Sequence, residues 1–398
     1  MRANVYFFMM VILGLWSCQN PENKEPIVST IQTPAALSSE EPNLFTDQRG
    51  DVYLSWIEKS EGQAKLLFSK LESGAWSASN MISQGNNWFV NWADFPSFIA
   101  QDQLMAAHWL QKRDEGTYDY DVRMVISNNS GQSWNDSFVP HTDGVSAEHG
   151  FVSMLPMEGD RIFATWLDGR NTKGGHSGNG AMTLRAAIFD NEGIPQEEWE
   201  LDDRVCDCCQ TSAAMTANGP VVVYRNRTED EIRDMSIVRL IGDDWTTPQT
   251  IHDDQWNIAG CPVNGPAMAA SGNDLAIAWF TASGGKPKVK LALSSDAGAS
   301  FLPAITLSEE NTNGRVGIAM LADRSLVVSW METEGETAKI VLGHYTPQGA
   351  LKEKLTVAES TSSRSSGFPV ITNSGNSVYM AWTEVSENNQ VKTTRIEF

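Results

Sequence analysis

The feature that most constrains the fold of this 398-residue chain is a strand-like segment that recurs along almost its whole length. Each copy is a short run of apolar and β-branched residues that ends in an aromatic residue, as in residues 275–279 and 326–330. Successive terminal aromatics are 51 to 58 residues apart. The seven aromatics are Trp56, Trp109, Trp166, Tyr224, Trp279, Trp330 and Trp382. Equivalent units at a constant period predict a repeat architecture.

Each unit has room for four short strands, of which the two before and at the aromatic are the most apolar. Four-stranded units at this period are typical of β-propeller blades. The sequence therefore predicts an all-β fold, a single β-propeller of four-stranded antiparallel blades, with seven blades preferred and six as the alternative. Only sixteen residues follow Trp382, which is enough for a third strand over 391–397. We expect residues 27–32 to supply the fourth strand and close the ring, since closure removes exposed sheet edges.

The first residues resemble the export signal of a bacterial lipoprotein. Arg2 precedes an apolar run over 5–15, which is too short to span a bilayer. Ser17 and Cys18 follow shortly after the run, at the place where a lipobox is cleaved and its cysteine acylated. An ordinary signal peptide with an incidental cysteine is the alternative.

This interpretation predicts three segments and a location. Residues 1–17 are the lipoprotein signal peptide, residues 18–40 a tether and closing strand, and residues 41–398 the propeller. The protein is expected in the bacterial cell envelope, lipid-anchored in the periplasm or at the cell surface, with the outer membrane favoured. The net charge of −21 excludes nucleic acid as a natural partner, because polyanions would be repelled. We expect a monomer whose contact with the membrane is the lipid anchor alone.

Two turns share the pattern Ser-x-Asp/Asn-x-Gly-x-x-aromatic, in which the Asx side chain caps the turn and glycine takes a positive φ. The matching residues are Ser127, Asn129, Gly131 and Trp134, and Ser294, Asp296, Gly298 and Phe301. These turns resemble Asp boxes, the turn signature of the sialidase-like, BNR-repeat superfamily of propellers. The resemblance implies structural turns that lie away from the catalytic face, and a ring of six blades in true sialidases.

Chemistry is predicted on the face shared by the loops that enter the first strand and leave the second strand of each blade. Arginine is conspicuous there in an acidic chain, and its planar fork binds carboxylate, sulfate or phosphate groups. The candidate catalytic residues are Asp168 and Glu231, and the candidate substrate-binding residues are His149, Arg170, Arg225, Arg227 and Arg233. The alternative is that these arginines pair with neighbouring acids in a solvated turn.

The protein is predicted to bind an anionic glycan and, if it is an enzyme, to hydrolyse that glycan. The sialidase resemblance implies three arginines, a tyrosine nucleophile activated by a glutamate, and an acidic aspartate. The sequence lacks the Arg-Ile-Pro motif of that family, Tyr224 occupies a packing position, and Tyr118 and Tyr120 stand in no motif. A non-catalytic propeller that binds a protein partner or a metal is therefore the alternative.

Four cysteines remain if Cys18 is acylated, and an even number in an exported chain suggests pairing. Cys206 and Cys261 both lie 18 residues before their aromatics, so they occupy equivalent places on neighbouring blades. A disulfide between Cys261 and one of Cys206, Cys208 or Cys209 is the first prediction. A copper or zinc site with His149 nearby is the second. No cofactor is otherwise required.

Overall fold

The structure is a computed structural model that describes Met1 and residues 25–172, 180–309 and 311–398. These residues form seven antiparallel sheets arranged as a seven-bladed β-propeller, so the prediction of an all-β fold with seven blades is confirmed. Within the same residues no helix is long and apolar enough to span a bilayer. Cys18 and most of the predicted signal peptide lie outside the described residues.

The strands follow the chain blade by blade, and β1 (Ile27–Ile31) precedes the first blade. Blade 1 contains β2 (Ser39–Thr46), β3 (Val52–Ser60), β4 (Gln63–Glu72), β5 (Ala75–Trp76) and β6 (Asn80–Gly85). Blade 2 contains β7 (Phe98–Gln101), β8 (Leu104–Lys112) and β9 (Tyr120–Ser127). Blade 3 contains β10 (His149–Met157), β11 (Arg161–Asp168), β12 (Met182–Phe189) and β13 (Pro195–Val205). In blade 2 an isolated bridge between Met124 and Phe138 stands at the fourth position.

The second half of the ring is built in the same way. Blade 4 contains β14 (Ser212–Thr216), β15 (Gly219–Arg225), β16 (Met235–Ile241), β17 (Asp244–Trp245) and β18 (Gln249–Thr250). Blade 5 contains β19 (Ala267–Ser271), β20 (Asp274–Thr281), β21 (Lys288–Ser294) and β22 (Ile305–Glu309). Blade 6 contains β23 (Thr312–Met320), β24 (Leu326–Glu334), β25 (Thr337–Tyr345) and β26 (Leu351–Thr361). Blade 7 contains β27 (Val370–Ser374), β28 (Ser377–Glu384) and β29 (Gln390–Glu397). Short 3-10 helices lie at Arg170–Thr172, Ser283–Gly285 and Arg364–Ser366.

Both chain ends meet in blade 7. The N-terminal strand β1 pairs with β29 in antiparallel register from Ile27 opposite Glu397 to Ile31 opposite Thr393. The order of this sheet is β1-β29-β28-β27, so β1 is its outermost strand. The prediction that residues 27–32 close the ring is confirmed to within one residue.

The repeated aromatics all lie on the second strand of their blades, and six of the seven are buried. Three of them share a further contact that the sequence pattern did not reveal. The indole N–H donates to the carboxylate two residues further on at 2.8 Å for Trp56, 2.9 Å for Trp166 and 3.0 Å for Trp330. The acceptors are Glu58, Asp168 and Glu332. Trp-x-Asp/Glu is therefore a structural unit of the blade.

The predicted Asx-capped turns make one set of hydrogen bonds. Ser127 Oγ accepts the N–H of Gly131 at 2.9 Å, and Asn129 Oδ1 accepts the N–H of Ser133 at 2.9 Å. Gly131 has φ of 78°, and a Cβ there would lie 2.4 Å from the Phe68 ring, so glycine is required on both counts. The second turn repeats the bonds at Ser294, Asp296, Gly298 and Ser300. Both turns join the third strand to the fourth, at the opposite end of the ring from the loops described next.

Candidate functional site

Three groups of side chains lie on the face formed by the loops that leave each second strand and enter each first strand, which we call the top face. The histidine cluster comprises His141, Asp143, His149, Asp168 and Arg170. The cysteine–arginine cluster comprises Cys206, Cys208, Cys209, Cys261, Arg225, Arg227, Glu231 and Arg233. The central carboxyl pair comprises Asp94 and Glu148, joined by Tyr120. The predicted site residues thus lie in two separate clusters rather than in one pocket.

His149 is fully buried at the start of β10, and both of its ring nitrogens face acceptors. Nδ1 lies 3.1 Å from the Ala147 carbonyl, and Nε2 lies 3.1 Å from Asp143 and 3.6 Å from Asp168. An imidazole that donates from both nitrogens is protonated. Burial opposes this charge, but the hydrogen bonds to Asp143 and Asp168 outweigh it and raise the pKa of His149 to about 9. His149 is therefore a buried cation between two carboxylates.

His141 stacks on this imidazolium, with ring centroids 3.7 Å apart and nearly parallel planes. Burial lowers the pKa of His141, so the His141 ring is neutral and the His149 ring carries the charge. Its Nδ1 shares Asp143 with His149, at 3.2 Å. The cluster is an ion network on the border of blades 2 and 3, in which His141 Nε2 has no hydrogen-bond partner among the described residues and lies 3.7 Å from Asp121.

Asp168 was predicted to be catalytic, but its side chain is fully buried and both of its carboxylate oxygens accept hydrogen bonds. Its carboxylate accepts the Trp166 indole N–H at 2.9 Å and two Arg170 bonds at 2.7 Å each. Burial opposes ionisation, yet the Arg170 and His149 contacts hold the pKa of Asp168 well below its usual range. Because Glu58 and Glu332 make the same tryptophan contact in other blades, Asp168 belongs to the blade framework.

Arg225 was predicted to bind substrate, but the structure buries it to 2% exposure at the end of β15. Its guanidinium donates to the carbonyls of Asn264, Arg233 and Phe280 at 2.7 to 3.1 Å. The group also lies over the Trp256 ring, 4.9 Å from its centroid. Arg225 therefore links blades 4 and 5 through hydrogen bonds. Its guanidinium N–H groups donate to protein carbonyls and do not face the surface.

Arg227, Glu231 and Arg233 form a charged turn between β15 and β16. Arg227 donates to Glu231 at 2.7 Å and to Asp207 at 3.1 Å, and Arg233 donates to Glu231 at 2.7 Å. Hydrogen bonds from Arg227 and then Arg233 lower the pKa of Glu231. Glu231 takes a left-handed φ of 60°, which is uncommon for this residue type. The Glu231 side chain is 26% exposed and that of Arg227 23%, so this turn reaches solvent.

The four cysteines of the described residues are free thiols. Cys206 Sγ lies 3.6 Å from Cys209 Sγ and 4.0 Å from Cys208 Sγ, whereas a disulfide requires about 2.05 Å. Cys261 is one of the free thiols as well, so the predicted disulfide from Cys261 to this group is not formed. Hydrogen bonds with Cys208 and Cys209, together with the Arg233 charge, lower the pKa of the Cys206 thiol.

The central carboxyl pair comes from three segments and includes a residue that the sequence analysis missed. Tyr120 Oη lies 2.9 Å from Glu148 Oε1 and 3.3 Å from Asp94 Oδ2. Asp94 Oδ1 also accepts the Phe151 N–H at 2.7 Å, which fixes it at the mouth of the central channel. Asp94 lies in the loop between β6 and β7, with no motif around it that could have marked it.

At least one carboxyl group of this pair holds a proton at neutral pH. Burial raises the pKa of Asp94 to about 7. Burial, and then the charges of Asp94 and Asp207, raise the pKa of Glu148 to about 8. The Tyr120 phenol has one proton and can donate to only one of the two carboxyl groups. The other carboxyl group must then be protonated and donate its own proton to the phenol oxygen. Glu148 is the less buried of the two, since its side chain is partly exposed whereas Asp94 is buried.

No protein-family model matches this chain, and no curated protein matches it in sequence. The α-L-arabinofuranosidase of Fusarium graminearum is similar in structure, with a TM-score of 0.51, 9% identity and coverage of 93% of this chain and 97% of that one. A puromycin-hydrolyzing peptidase of Mycobacterium tuberculosis has a TM-score of 0.52 at 11% identity, over 90% of this chain and 51% of that one. A mutant NanB sialidase of Streptococcus pneumoniae has a TM-score of 0.49 at 8% identity, over 94% of each chain. The chain thus shares its β-propeller fold with the first two of these structures.

Proposed function

We propose that the top face binds a glycan and hydrolyses it, with Glu148 as the general acid. The observation that carries this proposal is the contrast in pKa between two carboxyl groups on the top face. Glu148 has a pKa raised to about 8 and keeps its proton at neutral pH, whereas arginine contacts lower the pKa of Glu231. Carboxyl groups whose environments separate their pKa values in this way are the acid and base of glycosidases.

In the proposed reaction Glu148 gives its proton to the glycosidic oxygen as the bond to the anomeric carbon breaks. Water adds to that carbon and loses a proton to an ionised carboxylate, which in our assignment is Glu231. Tyr120 and Asp94 position Glu148, because the phenol oxygen contacts both carboxyl groups. Asp168 takes no part in this scheme, since its carboxylate is buried and committed to Trp166 and Arg170.

We further propose that the glycan carries a negative charge, which Arg227 recognises. Of the candidate arginines, Arg227 has the most exposed side chain at 23%, followed by Arg170 at 18%. A carboxylate or sulfate of the ligand would replace one of the acidic partners that Arg227 now holds, Asp207 or Glu231. Loss of the Arg227 contact is expected to weaken binding more than loss of Arg170.

The test is a glycan-array screen followed by hydrolysis assays on the glycans retained. Glu148→Gln is expected to lower kcat about 100-fold while leaving binding intact, because the amide keeps the shape but cannot give up a proton. Glu192→Gln, in an exposed turn at the opposite end of the ring, serves as the matched control and should hydrolyse at the wild-type rate. Arg227→Ala should weaken binding of acidic glycans but not of neutral ones.

Retention of a glycan with no cleavage by the wild type would overturn the enzymatic proposal and leave a non-catalytic binding propeller. Equal hydrolysis by the wild type and Glu148→Gln would remove Glu148 from the mechanism. Failure of every glycan class to bind would overturn the proposed function as a whole.

We also propose that the protein is held in the cell envelope by lipid on Cys18. Cys18→Ala is expected to move the protein from the membrane fraction to the soluble fraction or to leave the precursor uncleaved. Cys261→Ala is the matched control, and this variant should stay with the membrane. One acyl chain anchors weakly, so stable retention requires more than one. Unchanged membrane association of Cys18→Ala, with a mature terminus elsewhere, would contradict the proposal.

A further inference from the structure

We propose that Cys206, Cys208, Cys209 and Cys261 bind one thiophilic metal ion, Zn²⁺ or Cu⁺. The proposal is independent of the glycan function, because it rests on other side chains and a different chemistry. Thiolates are the preferred protein ligands of both ions.

The spacing of the sulfur atoms fits a metal ion better than a covalent bond. In a tetrahedral zinc site with Zn–S of about 2.3 Å, neighbouring sulfurs lie about 3.8 Å apart. Cys206 Sγ lies 3.6 Å from Cys209 Sγ and 4.0 Å from Cys208 Sγ, and all three fall within 4.8 Å of one another. One ion can therefore contact all three sulfurs without movement of the backbone.

The backbone holds these thiols in place on a short segment between β13 and β14. The Cys206 N–H donates to the Arg225 carbonyl at 3.0 Å, next to a bridge between Val205 and Asn226. Cys206 and Cys209 are buried, and Cys208 is half-buried. Three donors are thus pre-organised on one loop.

Cys261 belongs to the next blade and would supply the fourth donor. It lies on the loop between β18 and β19 and is exposed. Cys206, Cys208 and Cys209 already lie within 4.8 Å of one another, so we expect the ion to bind these three thiols and Cys261 to complete the set from its surface loop. The exposed side of the cluster gives a metal ion a path to the buried thiols.

The charges around the sulfurs favour thiolates. Arg233 Nη1 donates to Cys206 Sγ at 3.1 Å, the kind of contact that orients a metal ligand and stabilises its negative charge. Arg225, whose carbonyl accepts the Cys206 N–H, is only 2% exposed and forms no ion pair within the described residues. Four thiolates around Zn²⁺ carry a net charge of −2. Arg225 would offset part of this charge, because Arg233 is already paired with Glu231 at 2.7 Å.

The experiment uses the full chain with Cys18→Ser, so that the four cluster thiols are the only ones among the chain's five cysteines. The protein is reduced and desalted without oxygen, then offered Zn²⁺ or Cu⁺ in competition with a chromophoric chelator. We expect one ion per chain and protection of the thiols from a thiol reagent. The ion that the protein binds more tightly in this competition is identified as its metal. Co²⁺ bound at the same site should show thiolate-to-cobalt charge-transfer absorption.

Single substitutions locate the site, with the Cys18→Ser parent as the matched control. Cys209→Ser should raise the metal Kd at least 100-fold, and Cys261→Ser about 10-fold because that donor is exposed. If Cys209→Ser fails to fold in a thermal melt, Cys208→Ser at the half-buried position replaces it. A reduced parent that retains no Zn²⁺ or Cu⁺, or a Cys209→Ser or Cys208→Ser variant that folds and binds as tightly as the parent, would overturn the proposal. These outcomes leave the glycan assays unaffected.

Discussion

Replacement of Arg225 by alanine is expected to lower the free energy of unfolding by about 3–5 kcal/mol. The substitution leaves the carbonyls of Asn264, Arg233 and Phe280 buried without their donor, and each unsatisfied buried polar group costs about 1–3 kcal/mol. It also removes the cation from the face of Trp256. The loops of blades 4 and 5 should loosen together, because this one side chain bonds to both.

Urea unfolding followed by tryptophan fluorescence measures the change. Arg324→Ala is the matched control, since that side chain is 59% exposed and pairs with Asp274 at the surface. Surface ion pairs contribute about 0–1 kcal/mol, so the control should be nearly as stable as the wild type. A stable Arg225→Ala protein that has lost ligand binding would instead restore Arg225 as a binding residue.

Replacement of His149 by glutamine is expected to cost about 3 kcal/mol of stability at pH 6 and much less at pH 9. The buried imidazolium stabilises the fold through Asp143 and Asp168, and a pKa raised from 6.5 to about 9 corresponds to roughly 3 kcal/mol. Glutamine can donate one hydrogen bond to Asp143 but carries no charge. Two carboxylates would then share a buried site without a cation.

The sign of the pH dependence follows from the raised pKa. The folded protein holds a proton on His149 more tightly than the unfolded chain does, so its stabilisation is complete below about pH 6.5 and is lost as the pH rises through about 9. Asp94 and Glu148 also have raised pKa values, of about 7 and about 8, and their contribution to stability falls with rising pH as well. The contribution of His149 is therefore obtained from the difference in unfolding free energy between the wild type and the variant at each pH.

Unfolding by urea at pH 6 and at pH 9 provides the measurement. The gap between wild type and His149→Gln should narrow as the pH rises. His252→Gln, at a half-buried histidine 3.7 Å from Asp254, is the control and should cost about 0–1 kcal/mol. A gap that is the same at both pH values would mean that His149 is neutral in the folded protein.

The periodic pattern of apolar strands and aromatics was sufficient to predict the architecture. Seven blades, the position of each aromatic on a second strand and the closing strand near the N-terminus all follow from local periodicity and from counting strands. The Asx-capped turns were also predictable, because their hydrogen bonds join residues no more than four positions apart, as between Ser127 and Gly131. Strand direction likewise predicted that the candidate side chains share a face.

The partners of those side chains were decided by the tertiary structure. Arg225 bonds to carbonyls 39 and 55 residues away, and Tyr120 joins Asp94 to Glu148 across two loops. Asp168 has the residue type of a catalytic acid, but the Trp166 contact and burial assign it to the framework. Burial and the identity of a charged partner depend on distances that are fixed only when the ring closes. These quantities set the pKa of each carboxyl group, so the sequence predicted which face carries the chemistry, and the packed ring determined which residues can perform it.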